Sequence, residues 1–277
     1  MGYQRLFKLV AMWILESDNM KISVVTISFN QARYLHQCIE SVLSQDGVDF
    51  EYIVVDPGST DGSREIIESY GDRLVKIFES DNGPSDGLNR GFSLATGDIF
   101  YFINSDDFVL PNSFARITQL FAADTDLDVV LAGGLRVNEI GESQFSFYPS
   151  NVSAKSYVNG AVTLFQQGMF FKSELFRSVG GFNIENKSCW DGELLLSFIL
   201  KGARFTRIME KVAAFRFYPE SITGSQRFAD RFKVDHRRMF EMVYGSNRVP
   251  NQFSVMYYRA KKLLGDPVYL YKRLLQR

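Results

Sequence analysis

Residues 96–107 read TGDIFYFINSDD, and the architecture of the chain is predicted most directly from them. Its five consecutive apolar residues, Ile99 to Ile103, predict a strand covered on both faces, as in the parallel sheets of α/β proteins. An acidic cluster follows where the strand ends, and open α/β sheets bind ligands at the carboxyl ends of their strands. Oxygen-bearing side chains there can hold a divalent cation and, through it, a phosphate. Alternatively, Asp106 or Asp107 caps a helix that begins near Pro111.

Strand-like and helix-like segments alternate on the N-terminal side of this stretch. Strands are predicted at 21–28, 50–55 and 74–79, and helices at 32–45, 64–70 and 84–95. This alternation indicates βαβ units, a mainly parallel sheet and right-handed crossovers. On the C-terminal side, strands are predicted at 128–132, 204–209 and 212–217, and a hairpin is predicted from 133–137 and 144–148. Small or acidic residues follow each strand, so four strand ends are expected to form one rim that binds a nucleotide-like ligand.

Composition and missing motifs exclude several classes of protein. No G-x-G-x-x-G follows the first strand and no G-x-x-x-x-G-K-[ST] occurs, which argues against a dinucleotide-binding protein or a P-loop NTPase. The net charge of −1 gives no reason to expect a nucleic-acid partner. Cys38 and Cys189 have no metal-ligand spacing and fit a reducing compartment, so a cytoplasmic location is expected.

Four ordered motifs resemble the inverting family 2 glycosyltransferases of GT-A fold. They are SVVTISFN at 23–30, VVDPGSTDGS at 54–63, GPSDGLNRG at 83–91 with ATGD at 95–98, and NSDD at 104–107. The last stands where the family has its Asp-x-Asp metal motif. The resemblance implies an α/β, Rossmann-like nucleotide-diphospho-sugar transferase fold, with a mixed, mainly parallel sheet flanked by helices.

The same resemblance implies a division of the chain. A leader segment would occupy 1–20 and the GT-A domain 21–225, followed by a helical basic extension at 226–277. Within the domain, 21–110 would bind the nucleotide-sugar and 111–225 would bind the acceptor and carry the catalytic base. Seven apolar residues in the leader are too few to cross a bilayer. A short packed or frayed helix is expected there, and a helix that lies at a membrane surface is the alternative.

Individual residues take roles from the resemblance. Asp106 would be the principal ligand of a Mg²⁺ or Mn²⁺ ion, with Asn104 at the same site. The residues expected around the nucleotide-sugar are Ser28, Phe29, Asp56, Asp86, Asn89, Ser105 and Asp107. In two positions the chain departs from the family pattern: Asn104 replaces the commonest Asp, and Pro57 replaces a second Asp that helps to read the base. Turn and cap chemistry is the alternative for Asp56, Asp61 and Asp86.

The segment CWDGELLLSF at 189–198 resembles the start of the family helix that carries the catalytic base. Asp191 falls on the position of the base, while Trp190 and Gln167 are expected to contact the sugar or acceptor, because an aromatic face packs on a sugar ring. Alternatively, Asp191 caps the helix and Trp190 belongs to the core. Tyr218 stands where the family often has a His that reaches the metal or diphosphate.

The expected function is inverting transfer of a hexosyl or N-acetylhexosaminyl group from a UDP-sugar to a hydroxyl of a glycan or lipid-linked saccharide, as in polysaccharide or O-antigen-type assembly. Two alternatives remain: a catalytically silent nucleotide-sugar-binding module, and a sugar nucleotidyltransferase that releases diphosphate. Residues 257–277 contain six basic residues and one acid, Asp266. This segment either makes peripheral contact with the inner face of a membrane or packs on the domain with a solvated basic face.

Overall fold

The computed structural model describes residues 20–225 and 228–274. The predicted leader therefore lies outside the described residues, apart from Met20. The described strands are β1 (Ile22–Ile27), β2 (Phe50–Val55), β3 (Val75–Ile77), β4 (Ile99–Asn104), β5 (Phe108–Val109), β6 (Val129–Val137), β7 (Ser143–Phe147), β8 (Met169–Lys172) and β9 (Phe205–Arg216). They form one mixed sheet in the order β3-β2-β1-β4-β8-β6-β9-β5, with β7 paired to β6.

The first half of the sheet is parallel, as predicted. Strands β3, β2, β1 and β4 lie side by side, and their register aligns Ile27 with Val55 and with Asn104. The carboxyl ends of these strands therefore meet at one edge of the sheet. The predicted strand at 74–79 is shorter than expected, because a 3₁₀ turn at Gly71–Arg73 precedes it and only Val75–Ile77 pairs with β2.

The second half of the sheet differs from the prediction in its strand boundaries. The predicted strands at 204–209 and 212–217 are one strand, β9, and the predicted strands at 128–132 and 133–137 are one strand, β6. These two strands pair in parallel along their length, and their register shifts at Gly133, as it does at a β-bulge. The predicted hairpin between β6 and β7 is present. Strand β5 was not predicted, because two residues carry no periodic pattern.

Helices cover both faces of the sheet. They are α1 (Ala32–Leu43), α2 (Ser63–Ser69), α3 (Pro84–Leu94), α4 (Ser113–Ala123), α5 (Ala154–Val158), α6 (Ser173–Ser178), α7 (Trp190–Leu200), α8 (Ile222–Ser225), α9 (Ala229–Tyr244), α10 (Gln252–Gly265) and α11 (Pro267–Leu274). On β4, Tyr101 packs in the same core as Leu35 of α1 and Phe114 of α4, whereas Phe100 packs with Phe92 of α3 and with α7. The apolar run of β4 is thus buried on both faces, as predicted.

The C-terminal extension is helical in its described part, α9 to α11. Met239 and Phe240 of α9 pack with Val158 of α5 and Leu196 of α7. Within 20–225 and 228–274, every helix is too short or too polar to cross a bilayer.

Candidate active site

A cavity of about 1130 Å³ lies at the carboxyl edge of the parallel strands. Each of the four strand ends contributes to its wall, through Ser28 after β1, Pro57 after β2, Ser80 after β3 and Asn104 at the end of β4. The first turn of α7 and the segment after β9 complete the wall. The volume exceeds the roughly 300–1,000 Å³ of most small-molecule sites, which leaves room for two substrates.

Asp106 lies in the turn between β4 and β5 and lines the cavity. Its Oδ2 atom accepts a hydrogen bond of 2.9 Å from the hydroxyl of Tyr218. Burial raises the pKa of Asp106 above its usual value, and the Tyr218 hydrogen bond partly offsets this effect. Tyr218, which stands at the position of the family's His, therefore contacts the acidic motif directly.

Asp107 is buried and does not line the cavity. Its carboxylate accepts hydrogen bonds from the backbone N–H of Arg216 (2.8 Å), from Gln167 Nε2 (2.6 Å) and from Asn104 Nδ2 (3.3 Å). Burial and the nearby Asp106 carboxylate raise the pKa of Asp107 well above its usual value. Helix α4 begins at Ser113 without a side-chain cap, so neither aspartate caps it.

Asp106 and Asn104 are the residues predicted to hold a cation. The amide N–H groups of Asn104 donate to Asp107 and Gln166, which leaves its amide oxygen without a hydrogen-bond partner in the described part of the chain. No three His, Cys, Asp or Glu side chains cluster into a metal site among residues 20–225 and 228–274. Mg²⁺ is commonly held by one or two carboxylates together with substrate phosphates and water. One carboxylate and one amide oxygen fit a cation that takes its other ligands from a diphosphate.

Asp191 belongs to the first turn of α7 and lines the same cavity as Asp106. It does not cap the helix, since the residue at the cap position is Cys189. Within the described residues, no side chain donates a hydrogen bond to the Asp191 carboxylate, and burial raises its pKa. A Cβ atom on Gly192 would lie 1.7 Å from the Tyr157 hydroxyl, so the glycine lets Tyr157 pack against this turn.

Trp190 and Gln167 also line the cavity, but both are largely occupied by protein contacts. Trp190 is 8% exposed and belongs to the core that contains Phe102 and Leu194. The Gln167 amide donates to Asp107. Their predicted contacts with the sugar or acceptor remain predictions.

Two buried oxygens, Ser28 Oγ after β1 and Asp56 Oδ2 after β2, have no hydrogen-bond partner among the residues that the structure describes. The other oxygen of Asp56 accepts hydrogen bonds from the backbone N–H groups of Gly58 (3.0 Å) and Ser59 (2.7 Å). Buried polar atoms in proteins nearly always have a partner, so Ser28 Oγ, which lines the cavity, is a candidate contact for a ligand. Asp56 does not line the cavity, and its predicted contact with the nucleotide-sugar stays a prediction. Phe29, 60% exposed, adds an aromatic ring to the cavity wall, and Ser105 also lines it.

Asp86 and Asn89, on α3, do not line the cavity. Asp86 accepts hydrogen bonds from the backbone of Asn82 (2.9 Å) and from Arg90 (3.1 Å), and these bonds lower its pKa. Asn89 exchanges two hydrogen bonds with the backbone of Phe182, at 2.8 and 2.9 Å. Both side chains therefore connect α3 to neighbouring loops, and their predicted contacts with the nucleotide-sugar remain untested.

Arg216 is the main site residue that the sequence analysis missed. It is 2% exposed, and its guanidinium donates to the backbone oxygens of Asp106 and Glu139 (both 2.8 Å) and to Gln37 Oε1 (2.6 Å). It thereby joins the acidic turn after β4 to the turn between β6 and β7. The only signal in the sequence is a charged residue between two phenylalanines.

Comparison with known proteins identifies the family. The model of the family described as "Glycosyl transferase family 2" matches residues 23–174, which is more than half of the chain. An uncharacterised glycosyltransferase of Nostoc sp. is 42% identical over 106 residues, which cover 37% of this chain and 33% of that protein.

Two solved structures have a similar fold. Residues 1–349 of S. aureus TarS, in complex with UDP-GlcNAc, match with a TM-score of 0.63 and 20% identity, over 90% of this chain and 73% of that one. The mannosyltransferase PcManGT from Pyrobaculum calidifontis, in complex with GDP-Man and Mn²⁺, matches with a TM-score of 0.63 and 17% identity, over 93% and 74% of the two chains. The predicted GT-A fold is confirmed. The chain belongs to glycosyltransferase family 2.

Proposed function

We propose that this protein transfers a sugar from a UDP-sugar to a hydroxyl of a glycan or lipid-linked saccharide, with inversion at the anomeric carbon. The observation that carries the proposal is that Asp106 and Asp191, which are far apart in the sequence, line one cavity. A carboxylate beside the leaving diphosphate and another beside the incoming alcohol are what a single displacement requires.

The nucleotide end of the cavity supports a nucleotide-sugar donor. Ser28 Oγ, which has no hydrogen-bond partner in the described part of the chain, can accept a hydrogen bond from a base or ribose, and Phe29 offers a ring for stacking. The similar TarS structure contains UDP-GlcNAc, which favours UDP as the carrier. The PcManGT structure contains GDP-Man, so the base is an early target for experiment.

In the proposed reaction, the bond between the anomeric carbon and the diphosphate oxygen breaks, and its electron pair leaves with the nucleoside diphosphate. An Mg²⁺ or Mn²⁺ ion held by Asp106 and Asn104 would neutralise the charge on the departing diphosphate. Asp191 takes the proton from the acceptor hydroxyl as its oxygen bonds to the anomeric carbon. The raised pKa of Asp191 makes it a stronger base than an exposed aspartate.

The test is a transfer assay on wild type, Asp191→Asn and the control Asp230→Asn, whose carboxylate is exposed. General-base catalysis contributes roughly 10²–10⁴-fold, so Asp191→Asn should lose about that much transfer while it still binds donor. The control should keep its activity. Wild type that binds donor without transfer or hydrolysis would indicate a binding module, and release of inorganic diphosphate would indicate a nucleotidyltransferase.

A further inference from the structure

The exposed face of α10 is apolar. Phe253, Met256, Tyr257 and Leu264 are 60–86% exposed. These positions follow a spacing of three, four and seven residues, which puts them on one side of a helix. No residue of α10 is buried.

Two basic residues of α10 contact the rest of the protein. The Lys262 ammonium donates to Thr163 Oγ1 (2.5 Å) and lies 4.1 Å from the centre of the Tyr269 ring. Arg259 donates to the backbone oxygen of Gly160 at 3.4 Å. The half-buried residues Val255, Tyr258 and Leu263 lie on the protein side as well, so α10 carries one apolar set toward the protein and a second one toward solvent. An ordinary surface helix has only the first of these. Helix α11 also exposes Val268, Tyr271 and Leu274.

The charge around this apolar face is positive. In the described part of the segment from 248 to 274, Arg248, Arg259 and Lys261 are exposed and Lys272 is half-buried, while the only acid is Asp266. Asp266 is 3% exposed and pairs with Arg207. The exposed surface of the segment is therefore apolar and cationic, without an accessible carboxylate.

We propose that α10 and α11 dock this protein on an anionic phospholipid surface, with the apolar face of α10 at the boundary between headgroups and acyl chains. Helices with an apolar stripe and basic flanks lie in that position. A second copy of the chain is a poorer occupant, because it would bring the same cationic surface and repel the first. The proposal does not depend on the reaction proposed above, and its test needs no substrate.

The test is flotation of the full chain with vesicles of phosphatidylglycerol and phosphatidylcholine, compared with vesicles of phosphatidylcholine alone. Binding should require the anionic lipid and weaken with salt, because salt screens the attraction. The double substitution Phe253→Ser and Leu264→Ser should reduce binding about tenfold or more, at an unchanged melting temperature because both side chains are exposed. Val234→Ser, which removes an exposed apolar residue of α9, is the matched control and should bind like wild type.

Three outcomes would overturn the proposal: no binding to the anionic vesicles, equal binding to both kinds of vesicle, or undiminished binding of the double variant. If wild type instead self-associates without binding vesicles, and the double variant does not, the face is an interface between copies of this chain.

Discussion

The neighbouring aspartates Asp106 and Asp107 have different environments at this site. Asp106 opens to the cavity and has one side-chain donor, Tyr218, whereas Asp107 is buried and held by three donors. Hydrogen bonds and burial decide what a carboxylate can do, because they set its charge and its freedom to meet a ligand. Asp106 is free to change partners when a ligand arrives, and Asp107 supports the turn.

We predict that the acid limb of the pH profile of kcat/KM reports Asp191. Burial raises the pKa of Asp191 above 3.8, and a general base must be deprotonated, so activity should fall with decreasing pH already above that value. Donor affinity measured at each pH separates this limb from titration of Asp106 and Asp107. A profile that stays flat down to about pH 4 would contradict the assignment.

Arg216 offers a second prediction at the scale of one residue. Arg216→Met keeps the apolar stem but leaves the backbone oxygens of Asp106 and Glu139 without their donor. We expect the free energy of unfolding to fall by about 3 kcal/mol, since hydrogen bonds to a buried charged group contribute about 1.5–3 kcal/mol. Urea unfolding measures this loss in the free energy of unfolding. Arg116→Met, which removes an exposed partner of Glu210, should cost less than about 1 kcal/mol.

Between elements, Glu193 connects α7 to the C-terminal extension. It is 5% exposed and accepts hydrogen bonds from Asn183 (2.8 Å), Asn186 (2.6 Å) and Arg238 of α9 (2.5 Å). This network fixes the helix whose first turn presents Asp191 to the cavity. Glu193 is thus committed to structure, although it lies two residues from the proposed base.

We predict that Glu193→Gln and Arg238→Met each lower the free energy of unfolding by about 2 kcal/mol, because each leaves a partner without its charge-assisted bond. A double-mutant cycle in urea should give less than additive losses, since the two changes remove one shared contact. Lys233→Met removes the partner of Asp230, an exposed pair on the same helix, and should leave stability unchanged. Additive losses would mean that Glu193 and Arg238 do not stabilise each other.

At the scale of the whole molecule, we predict that a nucleotide-sugar bound in the cavity stabilises the folded state. A ligand that binds only the folded state stabilises it by about 2.7 kcal/mol at 100 times its Kd, which corresponds to a rise in Tm of about 5 °C or more. UDP-sugars should produce this rise, and Mn²⁺ should increase it if Asp106 and Asn104 bind a metal. A screen that includes GDP-sugars and free sugars identifies the base. No shift with any nucleotide-sugar would contradict the proposed donor site.

The sequence alone determined the fold class and the rim of polar residues. The strand at 99–103 and the alternating segments before it could be predicted because apolar periodicity is a local property of the sequence. The rim could be predicted because the carboxyl ends of parallel strands lie at the same edge of a sheet. The hairpin between strands β6 and β7 could also be predicted from the sequence. The sequence did not predict that β6 and β9 are single long strands, because a register shift depends on a partner that is distant in the sequence.

The tertiary structure decided which of the candidate residues meet. It brought Asp106 and Asp191 to one cavity and gave Asp107, Asp86 and Asn89 protein partners instead. It also buried Arg216 beneath the acidic turn and left a second set of apolar residues on α10 exposed. These outcomes depend on contacts between distant segments, and the free energy of burial and hydrogen bonding that selects them cannot be read from local sequence.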